Sequence, residues 1–119
     1  MILVDTGPLV ALCDGRDSRH RSAARDLQNF GAARLCTCEA VLVEACFHLP
    51  HRAQRQRLRA LLEHLDIESV EGTHDEGFWS DVFDWLLKYA DHEPDWADGC
   101  LAVLSGRSQR LKISWNFCW

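Results

Sequence analysis

Apolar and polar positions along this chain fall into short continuous hydrophobic runs separated by longer stretches with helical period. Met1-Ile2-Leu3-Val4, closed by Asp5 and followed by Thr6-Gly7-Pro8, reads as a buried strand over residues 1 to 5 that ends in a tight turn. Pro8 to Leu12 begins a helix, since proline is tolerated in a first helical turn, and Asp14-Gly15 breaks it. A polar helix follows from Ser18 to Phe30, with Ala23, Ala24 and Leu27 as its apolar positions and Gly31 as its end. A short second strand, Ala33 to Cys36, leads to Thr37, whose hydroxyl is placed to cap the nearly all-apolar helix that carries Glu44.

Leu58, Leu61, Leu62 and Leu65 then form an amphipathic stripe, opposite the charges of Arg52, Arg55, Arg57 and Arg59. Ile67 to Val70 reads as a third strand. Thr73-His74-Asp75-Glu76 fits a capping box ahead of a helix whose Trp79, Val82, Phe83, Leu86, Leu87 and Ala90 share one face. Pro94 opens a last helix, Asp95 to Leu104, and Gly106 precedes a strand candidate at Leu111 to Ser114. Strands alternating with helices predict an α/β fold, a three-layer α/β/α sandwich around a mostly parallel sheet. Ligands are then expected at the carboxyl ends of the strands.

With 119 residues, 47% of them hydrophobic, the chain fits a single domain spanning 1–119 with one sizeable core. The formal net charge of -5 argues against holding polyanions through bulk positive charge, so any nucleic acid must be gripped locally. No stretch approaches the roughly 20 apolar residues that span a bilayer, and the first residues lack the basic flank of a signal peptide. The expectation is a soluble, cytoplasmic protein without a membrane partner. The six cysteines then read as reduced core thiols, Cys36 and Cys38 included, because no second pair stands at zinc-site spacing.

Four acids carry the candidate chemistry. Asp5 ends the most apolar strand, where open parallel sheets place binding residues, although Asp-Thr-Gly-Pro also favours a turn by itself. Glu44 has apolar neighbours around essentially the whole of its helix, so its carboxylate is either costly to bury or confined to one polar strip. Asp95 and Asp98 lie three apart and share one side of a helix; Asp95 in a first turn also suits the helix dipole. Carboxylates brought together from separate elements repel unless a cation neutralises them, and hard oxygen donors suit magnesium or manganese. Such a centre hydrolyses phosphodiesters.

The opening Ile2-Leu-Val-Asp5-Thr-Gly-Pro-Leu-Val-Ala-Leu12, the later Thr37 and Glu44, and Asp95-Trp-Ala-Asp98-Gly-Cys-Leu-Ala-Val-Leu104 together resemble the PIN domain, particularly the VapC-type toxin ribonucleases. The resemblance covers almost the whole chain in the right order. It implies a magnesium-dependent endoribonuclease, commonly dimeric and restrained by a small antitoxin protein. It also implies Asp5, Glu44 and Asp98 as the acidic catalytic and metal residues, with Thr6 beside the first and Asp95 as an auxiliary acid. His20 falls where many relatives carry a histidine, and it also reads as a surface or capping residue. The ending Lys112-Ile-Ser-Trp-Asn-Phe-Cys-Trp119 departs from the family pattern: no acid follows Asp98, Asn116 is the nearest oxygen donor, and the C-terminus looks shortened.

Rival readings divide on fold and on chemistry. Asp5-Thr6-Gly7 is also the triplet of aspartic proteases, but those are nearly all β, and an aspartyl-phosphate phosphatase wants an acid where Gly7 stands. The alternative that survives is a PIN-like binding module without catalysis that pairs with an antitoxin or with itself. The arginines at 52 to 59, with Arg16, Arg19 and Arg21, are either a solvated face or a grip for RNA or an acidic tail. Five tryptophans, Trp115 and Trp119 among them, suggest apolar surface covered by a partner.

Overall fold

A computed structural model describes residues 1–117 of the chain. Four short strands form its centre: β1 (Ile2–Val4), β2 (Leu35–Thr37), β3 (Glu68–Ser69) and β4 (Ile113–Trp115). They pair in the order β3-β2-β1-β4, every pair parallel. Six helices flank the sheet: α1 (Thr6–Cys13), α2 (His20–Phe30), α3 (Glu39–His48), α4 (Arg52–His64), α5 (Phe78–Lys88) and α6 (Trp96–Arg107). The expected three-layer α/β/α architecture is therefore what the chain adopts. Parallel strands covered on both faces are buried as continuous runs, and β1 and β2 are buried at every position.

The chain moves outward from β1 through β2 to β3, then crosses back to place β4 on the other side of β1. Such a reversal opens a crevice at the carboxyl edge of the sheet, between β1 and β4. Asp5 stands at that point. Its N–H donates to the Trp115 carbonyl at 3.0 Å, so the reversal is tied at the residue on which the first strand ends.

Several local expectations change. Thr37 does not cap α3: it is buried as the last residue of β2, and its hydroxyl donates to the Val4 carbonyl at 2.8 Å. The parallel pairing of β1 with β2 places the hydroxyl against a strand, and Cys38 takes the capping position without a side-chain bond. Residues 73–76 form turns instead of a capping box, and α5 starts after Gly77, whose φ of 84° is the left-handed conformation that glycine adopts without a steric penalty. Helix α6 runs through Gly106 to Arg107, and a short 3-10 turn at Gln109–Leu111 displaces β4 toward the C-terminus. Helix α1 begins two residues before Pro8, because Asp5 caps it by accepting from the Thr6 N–H at 2.6 Å.

The arginine run and the tryptophans also take other roles. Arg55 donates to the carbonyls of Leu49 and Cys46, each at 2.9 Å, and Arg57 donates to that of Cys13 at 2.8 Å. Two of the four arginines thus satisfy carbonyls at the carboxyl ends of α3 and α1, where cations are favoured. Trp115 is buried against Phe30, with its indole N–H on Asp26 at 3.2 Å. It covers the protein's own core; Trp119 and Cys118 lie outside the described residues. The five described cysteines are free. Among the described residues no helix is long and apolar enough to cross a membrane.

Candidate functional site

The carboxyl edge of β1, the middle of α3 and the start of α6 meet around a cavity of about 400 Å³. Asp5, Glu44, Asp95 and Asp98 all line it, so the four acids expected from the sequence come from three separate elements to one place. Asp5 is the most enclosed of them. Its carboxyl group is raised above the usual aspartate range, first by burial and then by the negative charges of Asp95 and Glu44, against the Thr6 N–H that holds it down.

Asp95 and Asp98 form a reciprocal cap on α6. The Asp98 N–H donates to Asp95 at 2.8 Å, and the Asp95 N–H donates back to Asp98 at 3.0 Å. The capping box expected at residue 73 does not form, and the one that does form, at Asp95, has aspartate where the usual signature has glutamate. Asp98 is pushed up to about 6 by burial above all, with the charges of Asp95 and Asp5 adding to it. Two carboxyls held above their ordinary range by burial and by neighbouring acids are a setting in which a cation would be favoured.

Glu44 departs from expectation. The helix is apolar around its circumference, but only Val41 and Ala45 are fully buried; Val43 and Phe47 are 66% and 75% exposed. Glu44 is accordingly half-buried, and its carboxylate meets His48 Nε2 at 3.1 Å, one turn along. It faces the cavity without the burial that its neighbours suggest. His48 lines the same cavity and was not singled out from the sequence, although its spacing of four from Glu44 is the available signal. His20 is a tether, its Nδ1 lying 2.7 Å from the Ala11 carbonyl, so it fixes α2 against α1 outside this cavity.

The other wall of the cavity carries Thr6, Gly7, Asp17 and Arg19. The Arg19 guanidinium lies 5.1 Å over the Phe117 ring, and Phe117 packs closely on Gly7, where an added Cβ would meet its ring at 3.2 Å. Arg19 thereby brings a positive charge to an acidic site. The Thr6 hydroxyl is buried there beside Asp5, and with the Thr6 N–H it helps to hold the Asp5 carboxyl down.

Among the described residues no three His, Cys, Asp or Glu side chains stand close enough to enclose a metal ion. The donor set is nonetheless of the right kind. It consists of carboxylate oxygens and the Thr6 hydroxyl, without a thiolate, and hard oxygen donors suit magnesium, which keeps several of its waters and is bound through one or two carboxylates and substrate phosphate. Asp5 and Asp98 also line a second cavity of about 790 Å³, which continues toward α5 and includes Asn116.

Comparison with curated proteins finds no match. Among solved structures, the chain is similar to the crystal structure of VapC20 from Mycobacterium tuberculosis, a toxin that cleaves the sarcin–ricin loop. The two share 21% identity and a TM-score of 0.75, over 99% of this chain and 90% of that one. A likeness at this identity is one of fold. The sequence model of the PIN domain matches residues 2–113, nearly the whole chain, and on that match the chain belongs to the PIN domain family.

Proposed function

We propose that this chain is a divalent-metal-dependent endoribonuclease of the toxin–antitoxin type, which hydrolyses RNA phosphodiester bonds at the cavity lined by Asp5, Glu44, Asp95 and Asp98. The gathering of these four carboxylates at the strand-order reversal of a PIN domain carries the reading. Asp5, Glu44 and Asp98 hold magnesium, with manganese as a substitute. The bound ion supplies Lewis-acid activation of water and neutralises charge on the phosphoryl oxygens.

The chain's own groups do the rest. Asp95 fixes Asp98 by their reciprocal cap, and His48 orients Glu44. Thr6 offers its hydroxyl beside Asp5, and Arg19 receives non-bridging phosphate oxygens from the opposite wall. The substrate is a structured RNA loop, of the kind that the similar toxin cuts. Val43 and Phe47 on α3, with Trp79, Phe83 and Leu87 on α5, are exposed and support protein partners, a second copy of the chain and a small antitoxin.

A second reading, a PIN-like binding module without catalysis, is favoured by the open spacing of the acids among the described residues. One experiment separates the two. The purified chain is incubated with hairpin RNAs, one carrying a sarcin–ricin loop, in magnesium, in manganese and in chelator, beside Asp5→Asn and Asp98→Asn. Cleavage that needs metal and vanishes in both variants supports the nuclease. Cleavage that survives chelation, or both substitutions, refutes it, and no cleavage with retained self-association or antitoxin binding supports the module.

A further inference from the structure

The cavity of about 790 Å³ that adjoins the acids is lined by Trp85, Tyr89, His92 and Glu93 at the end of α5 and beyond, and by Ser105 and Ser114 across from them. Asp5 and Asp98 form the wall it shares with the acid cavity. The Trp85 and Tyr89 rings lie 5.0 Å apart between centroids and are tilted by 46°; Trp85 is half-buried and Tyr89 more exposed. Ring edges and faces thus border an open space next to the proposed site of phosphodiester cleavage.

The charge of the lining limits what fits. Three acids, Asp5, Glu93 and Asp98, line it and no lysine or arginine does so among the described residues. Lys88 Nζ, 5.4 Å from the Tyr89 ring centroid, and Lys112, which donates to the Ser105 carbonyl, stand at its border, and the space itself disfavours a phosphate. A flat, neutral group with apolar faces and polar edges is suited to it: the faces meet the aromatic rings, and the edges meet serine hydroxyls, His92 and a carboxylate. Unstacked nucleobases have this character, and RNA-binding proteins hold them on aromatic side chains.

Resting on the nuclease reading, we infer that this second cavity receives one nucleobase, splayed out of the RNA beside the phosphate held at the acids, with Trp85 and Tyr89 as its stacking surfaces. The two cavities then divide one nucleotide between them. The acids and Arg19 take the phosphate, and the aromatic cavity takes the base. Selectivity for RNA loops follows, because a base already unpaired is extruded at less expense than one in a helix.

The test uses binding, so that it does not depend on turnover. Single-stranded and hairpin RNAs are titrated with the full chain in calcium, with and without an abasic nucleotide moved through the sequence, using wild type, Tyr89→Ala, Trp85→Ala and Trp85→Phe. One abasic position is expected to weaken wild-type binding by about tenfold, as stacking energies per base imply. The same position should matter little in Trp85→Ala or Tyr89→Ala, while Trp85→Phe retains most of the sensitivity.

Losses that simply add, or no sensitive abasic position, overturn the inference. So does an RNA carrying fluorescent 2-aminopurine at that position if arginine methyl ester releases the base while adenosine does not, since the cavity would then be built for a cationic peptide side chain. Failure of metal-dependent cleavage with the abasic effect intact would count against the nuclease and leave the base cavity standing.

Discussion

Replacing Asp98 by asparagine should have opposite effects on the metal-free and the metal-bound protein. Burial above all holds the Asp98 carboxyl at about 6 in the fold, against 3.8 for an ordinary aspartate. At about 1.4 kcal/mol per pH unit this difference would amount to about 3 kcal/mol, and the partial exposure of the carboxylate reduces it to about 1–1.5 kcal/mol. The folded state holds the proton more firmly than the unfolded state. The metal-free wild type is therefore most favoured below pH 3.8, and it loses this contribution as pH rises through about 6.

Asparagine does not titrate and keeps an oxygen for the Asp95 N–H, so the cap on α6 survives. At pH 7 in chelator, Asp98→Asn should melt about 4 °C higher than wild type, and the two should converge near pH 4. Magnesium reverses the order. At a hundredfold excess over its dissociation constant a ligand adds about 2.7 kcal/mol to the form that binds it, and that gain belongs to wild type. Differential scanning fluorimetry at pH 4, 5.5 and 7, with chelator and with magnesium, measures both effects. A variant less stable than wild type in chelator at pH 7, or an equal magnesium shift in the two proteins, refutes the reasoning.

Other outcomes test the framework around the site. In Gly99→Ala the new methyl meets Val82 Cγ1 at 2.8 Å, so overpacking of about 1–3 kcal/mol outweighs the gain of up to about 1 kcal/mol in helix propensity, and urea denaturation should show a net loss near 1 kcal/mol. Thr37→Val removes the hydroxyl that bridges β2 to the Val4 carbonyl and should cost about 1–2 kcal/mol by the same measurement, without changing the fold seen by far-ultraviolet circular dichroism. Burial raises the Cys13 and Cys36 thiols to about 11 and Cys100 to about 12, so mass mapping after iodoacetamide at pH 8 should find the half-buried Cys46 modified before any of these three.

Much of the fold was legible because its signals are local. An apolar triplet closed by an acid marks β1 and Asp5, and a proline ahead of Asp95 marks the start of α6, so two of the three elements that build the acid cavity can be placed from their own residues. What escaped depends on neighbours distant in sequence. A threonine after a strand can cap the next helix or tie two strands, and only the pairing of β1 with β2 decides for the tie at Thr37. A run of arginines looks the same whether it faces solvent or caps other helices, and Arg55 and Arg57 reach carbonyls that periodicity cannot reveal.

Glu44 shows the same limit at the site itself. A helix apolar on all sides implies burial on all sides, yet α3 packs only one side against the core and leaves Val43 and Phe47 to solvent. Its hydrophobicity is thus of two kinds, a core face and an exposed face, with Glu44 between them. A cavity of about 360 Å³ beside the acids is lined by Val43 and Glu44 from α3 and by Trp79 and Trp96 from across the groove. The exposed apolar surface and the Glu44 carboxylate therefore share a wall. Under the proposed function, a partner seated on Val43 and Trp79 would lie against Glu44, so that occupation of this surface and access to the acids would be governed by the same turn of α3.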